Sequence, residues 1–106
     1  MKIVATSKYK RDYKRAVKRR WDMSKLDRAV AILASGQPIP PSYHDHALSG
    51  NRAGQRDMHI GPDWLLIYHY GVDSVTLEGL VSLDETGTHS DVFGNSALDG
   101  FLRAPR

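Results

Sequence analysis

The sequence predicts an α+β domain in which two amino-terminal helices pack on a twisted, mainly antiparallel sheet. Two observations lead to this fold class. Hydrophobic residues recur at helical spacing through the first third of the 106-residue chain. From Arg56 onwards the hydrophobic period changes to two, and glycine-containing turns separate the segments, as in strands joined by hairpins. Helices followed by consecutive strands are typical of an α+β fold.

A short strand and a first helix open the chain. Residues 2–5 are predicted to form the strand, and Thr6 or Ser7 is the expected N-cap of the helix that follows. The buried stripe of this helix is predicted from apolar residues at helical spacing, namely Tyr9, Tyr13, Ala16, Val17 and Trp21. Lysine and arginine fill the positions between them, so we expect a basic surface opposite that stripe.

The second helix and the loop after it are bounded by capping and helix-breaking residues. Ser24 and Asp27 have the spacing of a capping box, so the helix is expected to begin after Ser24. Its buried stripe contains Leu26, Val30 and Leu33, and Gly36 is expected to end it. Residues 37–51 include three prolines and are predicted to be irregular.

Three further strands are predicted in the second half of the chain. The first runs from Arg56 to the turn at residues 61–62, and Asp57 and His59 face away from Arg56. The second is the apolar segment 64–70, and after a turn at residues 71–73 the third contains Val75, Leu77, Val81 and Leu83. Residues 1–94 are expected to form a single domain, with residues 95–106 as a carboxy-terminal appendage or frayed tail.

The charge distribution favours a polyanionic partner. Residues 1–35 contain eleven Lys and Arg against three Asp, a net charge of +8, whereas residues 36–106 contain four against nine acids, a net charge of −5. A concentrated basic segment attracts nucleic acids, although a solvated helix face gives the same pattern. The chain has no cysteine, which excludes thiolate catalysis and cysteine-ligated zinc. No apolar run approaches the roughly 18 residues of a membrane span, and because the absence of cysteine fits a reducing compartment, we expect a cytoplasmic protein.

The histidines are the first candidates for chemistry, because an imidazole transfers protons near neutral pH and also binds metals. There are five, His44, His46, His59, His69 and His89. His69 lies in a core-like strand, so a structural or surface role is favoured for it. The alternating pair His44 and His46, assisted by His59 or Asp63, has a spacing that allows metal binding. Nothing resembling HExxH is present, and we predict neither a metal nor another cofactor.

Three segments together resemble a known family. They are HALSG from His46, QRDMHIGPDWLLIY from Gln55 and TGTHSDVFG from Thr86. Over residues 8–94 the chain resembles the YafQ branch of the RelE/ParE superfamily, the toxins of bacterial type II toxin–antitoxin modules. The resemblance implies a RelE-like fold and an mRNA interferase that cuts messenger RNA in the ribosomal A site by metal-free acid–base attack of the ribose 2′-hydroxyl. The implied partners are the ribosome and a cognate antitoxin of the DinJ or RelB type.

The same resemblance assigns roles to eight residues. Four are expected to be catalytic, with His89 as the general acid and one of the others as the base: His46, His59, Asp63 and His89. Four are expected to bind the substrate or support the site: Arg56, Asp57, Trp64 and Phe93. Phe93 is expected to stack on a base, and the alternative for it is a core anchor for the chain end.

Glu85 departs from the family pattern, in which an arginine commonly precedes the TGTH segment. A carboxylate there repels phosphate, so either Arg56 or the amino-terminal basic helices supply the missing charge, or catalysis is weakened. Two alternatives therefore stay open, a ParE-like inhibitor of DNA gyrase and a catalytically weakened homologue that binds its antitoxin. The joint presence of the four predicted catalytic residues favours the nuclease, because a gyrase inhibitor does not need them.

Overall fold

The structure, a computed structural model, describes residues 1–94, in which two α-helices and five strands are followed by the helical residues 89–94. The predicted tail at residues 95–106 lies outside the described residues. The elements are β1 (Lys2–Ala5), α1 (Ser7–Lys18), α2 (Met23–Ser35), β2 (His46–Ala47), β3 (Arg56–Gly61), β4 (Trp64–Val72) and β5 (Gly79–Gly87). The strands form one sheet in the order β1-β5-β4-β3-β2.

The strand pairings confirm the predicted fold class. Three of the four are antiparallel, and β1 pairs in parallel with β5. β1 ends opposite Leu83, where the Thr6 amide donates to the Leu83 carbonyl at 3.0 Å and the chain turns into α1. Within residues 1–94, none of the helices combines the length and the apolar character that crossing a membrane requires.

Side-chain caps determine where the two helices begin. Thr6 is the N-cap of α1, as predicted, and its hydroxyl accepts a backbone hydrogen bond from the first turn at 3.0 Å. The capping-box prediction for α2 is wrong, because Asp22 is the N-cap and accepts from the Ser24 amide at 3.1 Å. Aspartate is as good an N-cap as serine, so residue type alone does not choose between them. Gly36 ends α2 in the left-handed conformation, with φ of 72°.

The main core lies between the two helices and one face of the sheet. Its buried members are Tyr9, Leu26, Ala29, Leu33, Met58, Ile60, Trp64, Leu66, Tyr68, Val81 and Leu83. The predicted α1 stripe is wrong at Val17, which is 49% exposed, because it is rotated by about 100° from the buried Ala16. Trp21 lies beyond the end of α1 and packs on Trp64, with 4.9 Å between ring centroids.

The opposite face of the sheet carries a smaller apolar floor. Leu65, Ile67 and Val92 are buried there, and Leu48 and Phe93 pack against them. Cross-strand partners share a face of the sheet. The register aligns Asp57, Ile67 and Glu85 in one row across β3, β4 and β5, and His59, Leu65 and Gly87 in the next. Asp57 and His59 therefore lie on the face that the helices leave open.

The β4–β5 hairpin departs from prediction at its tip. β4 continues to Val72, through residues predicted to be a turn, and β5 begins only at Gly79. The hydrophobic period predicts a strand at Val75 and Leu77, but both residues lie in the turn, 87% and 76% exposed. The Asp73 carboxylate accepts the Val75 amide at 2.8 Å, a local hydrogen bond that favours the turn over a strand.

The proline-containing loop holds more regular structure than predicted. Two 3-10 turns, Pro41–Tyr43 and Gly50–Arg52, flank the short strand β2. A proline at the first position of such a turn has no amide to leave unpaired, so Pro41 is compatible with it. β2 pairs with β3 so that His46 lies opposite Asp57. This pairing brings the loop histidine to the open face of the sheet.

Candidate active site

The four residues predicted to be catalytic come from four separate segments. His46 belongs to β2, His59 to β3, Asp63 to the β3–β4 turn and His89 to the residues after β5. The ring centroids of His46 and His59 are 6.0 Å apart, and those of His59 and His89 are 5.8 Å apart. We call these three rings the imidazole row, in which His59 occupies the middle. The structure thus brings the predicted catalytic residues together.

Asp63 holds His89 through two contacts to one carboxylate oxygen. The His89 Nδ1 atom lies 2.5 Å from Asp63 Oδ1, and the His89 amide donates to the same oxygen at 2.8 Å. These hydrogen bonds, the backbone one first, lower the pKa of the Asp63 carboxyl below its usual range. The ionised carboxylate favours a proton on Nδ1, so Nε2 is the ring atom left for a substrate.

The helical turn that carries His89 follows a tightly packed glycine. A Cβ atom on Gly87 would lie 2.6 Å from the Asp91 Cβ atom and 2.9 Å from the Arg15 guanidinium. Thr88 and Asp91 form a reciprocal capping box, since the Thr88 amide donates to Asp91 Oδ2 at 2.9 Å and the Asp91 amide to Thr88 Oγ1 at 3.0 Å. Sequence reasoning missed this box, although the spacing of Thr88 and Asp91 is its signal.

Arg15 of α1 and Arg19, the C-cap residue of that helix, also contact the Asp91 carboxylate. Arg19 Nη1 lies 2.5 Å from Asp91 Oδ2, and Arg15 Nη2 lies 3.7 Å from the same oxygen. The hydrogen bond from Arg19 is the main reason that the pKa of the Asp91 carboxyl is well below its usual range. The basic first helix therefore reaches the turn that carries His89. No local spacing rule links positions so far apart in the chain, so the sequence contains no signal for this contact.

Asp57 lies between His46 and His59 and is only 3% exposed. Its Oδ2 atom is 3.8 Å from His46 Nε2, and its Oδ1 atom is 3.8 Å from His59 Nδ1. Burial raises the pKa of the Asp57 carboxyl. Asp57 Oδ1 and His59 Nδ1 are buried and make no hydrogen bond within the described residues. Together with His46 they place possible metal-ligand atoms within 4.8 Å of one another.

The remaining predicted substrate residues do not point freely into the site. Arg56 lies beside Asp57 in a strand and so faces the other side of the sheet, where its Nη2 atom is 2.7 Å from Asp45 Oδ2. Trp64 is 7% exposed and donates its indole N–H to Thr86 Oγ1 at 2.9 Å. Phe93 packs, partly buried, on the apolar floor. Its placement agrees with a core anchor and leaves one part of the ring accessible.

Glu85 has a partner that sequence reasoning did not identify. Arg52 Nη1 lies 2.7 Å from Glu85 Oε2, and Arg52 Nη2 donates to the Val92 carbonyl at 2.9 Å. The same guanidinium lies 5.2 Å from the centroid of the Phe93 ring. Because Arg52 balances the carboxylate, Glu85 is not an isolated negative charge on the open face.

Comparisons with known proteins identify the family and the fold of the chain. The family model described as the bacterial toxin of type II toxin–antitoxin system, YafQ, matches residues 1–94. The mRNA interferase toxin YafQ of Escherichia coli strain K12 is 39% identical over 93 residues, covering 87% of this chain and 95% of that protein. A chain of the E. coli DinJ–YafQ toxin–antitoxin complex has a TM-score of 0.72 at 39% identity, covering 87% and 96%. A metal-bound toxin from Helicobacter pylori has a TM-score of 0.74 at 33% identity, covering 88% and 99%.

Proposed function

The chain belongs to the YafQ family of bacterial type II toxin–antitoxin toxins, and from this premise we propose that it cleaves messenger RNA in the ribosomal A site. The observation that carries the proposal is the imidazole row, with Asp63 bound to one end of it. The side chains of His46 and His89 are 53% and 48% exposed, so a polynucleotide can reach both. No metal takes part in the proposed reaction.

The reaction needs two proton transfers at one phosphodiester. The ribose 2′-oxygen loses its proton and forms a bond to phosphorus, while the bond from phosphorus to the 5′-oxygen breaks and that oxygen gains a proton. The products are a 2′,3′-cyclic phosphate and a 5′-hydroxyl end. Imidazole titrates near neutral pH and can perform either transfer.

His89 is proposed as the general acid. Asp63 fixes its ring through Nδ1, which leaves Nε2 as the ring atom that can give a proton to the substrate. The leaving 5′-oxygen would lie at Nε2. Gly87 and the Thr88–Asp91 capping box hold the backbone of this turn in position, so His89 reaches the substrate from a braced segment.

His46 is proposed as the general base among the three predicted candidates. Its Nδ1 atom lies 2.9 Å from the His44 carbonyl oxygen, which only accepts hydrogen bonds, so Nδ1 carries the proton and Nε2 keeps its lone pair. Asp63 is already engaged by His89. His59 lies between acid and base, and because its Nδ1 atom is buried, Nε2 is the ring nitrogen that can contact the phosphate oxygens.

Positive charge around the phosphate is proposed to come from α1 rather than from Arg56. Arg56 is paired with Asp45 on the other side of the sheet, whereas Arg15 and Arg19 reach Asp91 in the turn that carries His89. Only charge in excess of the local carboxylates attracts RNA, and the +8 of residues 1–35 supplies it. This assigns the family arginine's task to the basic helices.

The proposed partners follow from the E. coli complex. There the relative is assembled with DinJ, and we propose a DinJ-like antitoxin for this chain. Messenger RNA on the ribosome as substrate agrees with the cytoplasmic location that the sequence predicts. A small acidic protein encoded directly upstream would support the pairing, and its acidity would complement the basic residues 1–35.

The proposed function is tested in a purified translation reaction with a defined messenger RNA. We expect cuts only when ribosomes are engaged on the message, with 5′-hydroxyl ends at the new termini, as mapped by primer extension and end-specific ligation. Naked RNA is the control for ribosome dependence. Intact messages together with inhibited supercoiling by purified gyrase would replace the proposal with the ParE-like alternative, and antitoxin binding without either activity would identify a weakened homologue.

A further inference from the structure

A cavity of about 380 Å³ lies beside the acid end of the imidazole row. We propose that it is a nucleotide subsite that receives one base of the RNA downstream of the scissile phosphate, with Trp21 as the stacking residue. The inference rests on the proposed function, because the direction of the reaction determines which part of the strand lies here. We call it the Trp21 cavity, and its lining includes Trp21, Asp22, Lys25, Pro62, Asp63 and Thr88.

Two residues of the lining connect the Trp21 cavity to the proposed acid. Thr88 precedes His89 in the chain, and Asp63 accepts hydrogen bonds from the His89 ring and the His89 amide. His46, the proposed base, is at the other end of the imidazole row. The 5′-oxygen leaves at the acid, so the strand that continues from this oxygen passes the end of the row where the cavity lies. Its occupant is therefore downstream of the cut.

Trp21 supplies the aromatic surface that a base requires. Its side chain is only partly buried, whereas Trp64, whose ring centroid is 4.9 Å away, is 7% exposed. Pro62 adds apolar surface from the β3–β4 turn. Every base has a π-face and can stack on an aromatic side chain. The volume of the cavity falls within the range of about 300–1,000 Å³ that is usual for small-ligand sites.

The end of α1 fixes the backbone of Trp21. Arg20 is in the left-handed conformation with φ of 62°, and its amide donates to the Val17 carbonyl at 3.0 Å. The Trp21 amide donates to the Ala16 carbonyl at 3.2 Å, which completes a Schellman motif. Trp21 is therefore held by the helix end and does not lie on a free loop.

Arg19 connects Trp21 to the turn that carries the acid. Its guanidinium lies 5.3 Å from the centroid of the Trp21 ring, and its Nη1 atom lies 2.5 Å from Asp91 Oδ2. A guanidinium over an indole face is a favourable cation–π contact. One side chain thus contacts both the stacking residue and the segment that positions His89, so the two are placed relative to each other before RNA binds.

Two cations on α2 can contact the RNA backbone at this subsite. Lys25 lines the Trp21 cavity and, together with Arg28, a neighbouring cavity of about 280 Å³ that borders His59. Both side chains are exposed and one helical turn apart, and none of the ion pairs within residues 1–94 includes either of them. The Asp22 carboxylate offsets one of the two charges, which leaves a net positive charge for phosphate.

Fluorescence anisotropy of two short RNA strands tests the subsite without cleavage. One strand is an oligoadenylate with a 5′-hydroxyl end, like the downstream product, and the other has the same backbone with abasic nucleotides. Both carry a dye at the 3′ end and are titrated with the full-length protein. We expect the oligoadenylate to bind more tightly, because stacking adds to the phosphate contacts that both strands make.

Trp21→Leu removes the stacking ring and keeps an apolar side chain beside Trp64. We expect it to weaken oligoadenylate binding by about 5-fold to 150-fold and to leave binding of the abasic strand unchanged. Trp21→Phe keeps an aromatic ring and should retain most of the preference for bases. Tyr70→Leu is the matched control, since Tyr70 is an aromatic residue that is 50% exposed and lies outside the lining of this cavity. Circular dichroism checks the folding of each variant.

Lys25→Gln tests the proposed backbone contact separately from stacking. It should weaken the two strands by the same factor, because both carry phosphates. The dependence of the binding constant on salt should fall by about one phosphate contact.

The translation reaction tests whether the subsite serves cleavage. In a message with one abasic nucleotide directly downstream of the cut, Trp21→Leu should cause no further loss of kcat/KM, since the stacking partner is already absent. If Trp21 acted only as packing for Trp64, the substitution would lower cleavage of the normal and the abasic message equally.

The outcomes separate the subsite from the function. Equal affinity of the parent protein for the two strands overturns the subsite, as does an equal loss for both strands in Trp21→Leu or a comparable loss in Tyr70→Leu. Base-dependent binding at Trp21 together with equal cleavage losses on both messages overturns its part in the reaction. A protein that binds oligoadenylate through Trp21 but cleaves no message refutes the proposed function, while the base-binding cavity stands.

Discussion

The His89–Asp63 and His69–Asp84 pairs have nearly the same distance between imidazole and carboxylate, but their surroundings differ. The Nδ1 atom lies 2.5 Å from a carboxylate oxygen in the first pair and 2.6 Å in the second, and the imidazoles are 48% and 43% exposed. The carboxylates differ, since the Asp63 side chain is 63% exposed and that of Asp84 is 9% exposed. Burial therefore distinguishes two pairs that their internal geometry does not.

The partners of each pair explain what the difference means. Asp84 also accepts from Ser82 Oγ at 2.7 Å and from Gln55 Nε2 at 3.0 Å, so its acceptor capacity is largely used within the fold. His69 borders a cavity of about 660 Å³ but takes part in none of the ring contacts between histidines of the described residues. His89 contacts His59, which adjoins His46. A histidine–aspartate pair suits the proposed pair of proton transfers when further imidazoles lie beside it, and the size of the neighbouring cavity does not identify such a pair.

The largest effect on cleavage should come from replacing the His89 imidazole, with replacement of the His69 imidazole as the control. We expect His89→Gln to lower ribosome-dependent cleavage by about 100-fold to 10,000-fold, the usual contribution of a positioned general acid. His69→Gln should leave the rate close to that of the parent protein. Primer-extension rates at equal protein concentration measure both, and equal losses in the two variants would contradict the distinction between the pairs.

Gly87→Ala should have the next largest effect, because it displaces His89 without removing it. The added Cβ atom would lie 2.6 Å from the Asp91 Cβ atom, so the turn must shift. A displacement of about 1 Å costs up to roughly 100-fold in rate, and overpacking costs about 1–3 kcal/mol of unfolding free energy. Gly61→Ala is the matched control, since its Cβ atom would meet nothing closer than 3.8 Å. Full cleavage by Gly87→Ala would show that the turn tolerates displacement.

Neutralising the two carboxylates should separate activity from stability. Asp63→Asn should lower cleavage by about tenfold, the value of one charge-assisted hydrogen bond to the acid, with little change in melting temperature. Asp84→Asn should lower the free energy of unfolding by about 1–3 kcal/mol, because a buried carboxylate with three donors is disrupted, and leave cleavage unchanged. Cleavage rates and urea denaturation, measured for both variants, test this separation. If Asp84→Asn lowered cleavage and Asp63→Asn lowered stability, the roles assigned to the two pairs would have to be exchanged.

The smallest effect concerns Asp91, the carboxylate that braces the His89 turn. Its pKa is depressed in the folded state, so its contribution to stability is present above the unfolded pKa near 3.9 and is lost as pH falls through the folded value. We expect Asp91→Asn to lower the free energy of unfolding by up to about 1 kcal/mol at pH 7. The difference from the parent should shrink steadily below about pH 4 in urea titrations. A difference that grows in acid would contradict the sign of this linkage.

Predictions from local signals were confirmed where the neighbouring residues favour a single local structure. Thr6 as an N-cap, Gly36 as a left-handed helix end and the alternation of β3 are read from neighbouring residues alone. They failed where two local solutions compete. Asp22 and not Ser24 is the N-cap of α2, although both residue types can cap a helix. Val75 and Leu77 have the hydrophobic period of a strand but lie in an exposed turn, since the period does not show which residues the fold buries.

The candidate site shows the same division. Family motifs selected His46, His59, Asp63 and His89, and the structure brings them together, while their chemical roles stay predictions until cleavage is measured. The contacts of Arg19 with Asp91 and of Arg52 with Glu85 link residues 72 and 33 positions apart. No spacing rule reaches across such separations, so these ion pairs were visible only in three dimensions.

By itself the sequence determined the fold class, the basic first third of the chain and the residue types that can transfer protons, because these depend on local hydrogen bonding, hydrophobic period and charge. Only the tertiary structure decided which of two histidine–aspartate pairs joins other imidazoles, that Arg56 faces away from the site, and that Asp57 is buried between two histidines. The physical reason is strand register. The pairing of β2, β3, β4 and β5 determines which side chains share a face of the sheet, and a shift of a strand by one residue would move each of its side chains to the opposite face.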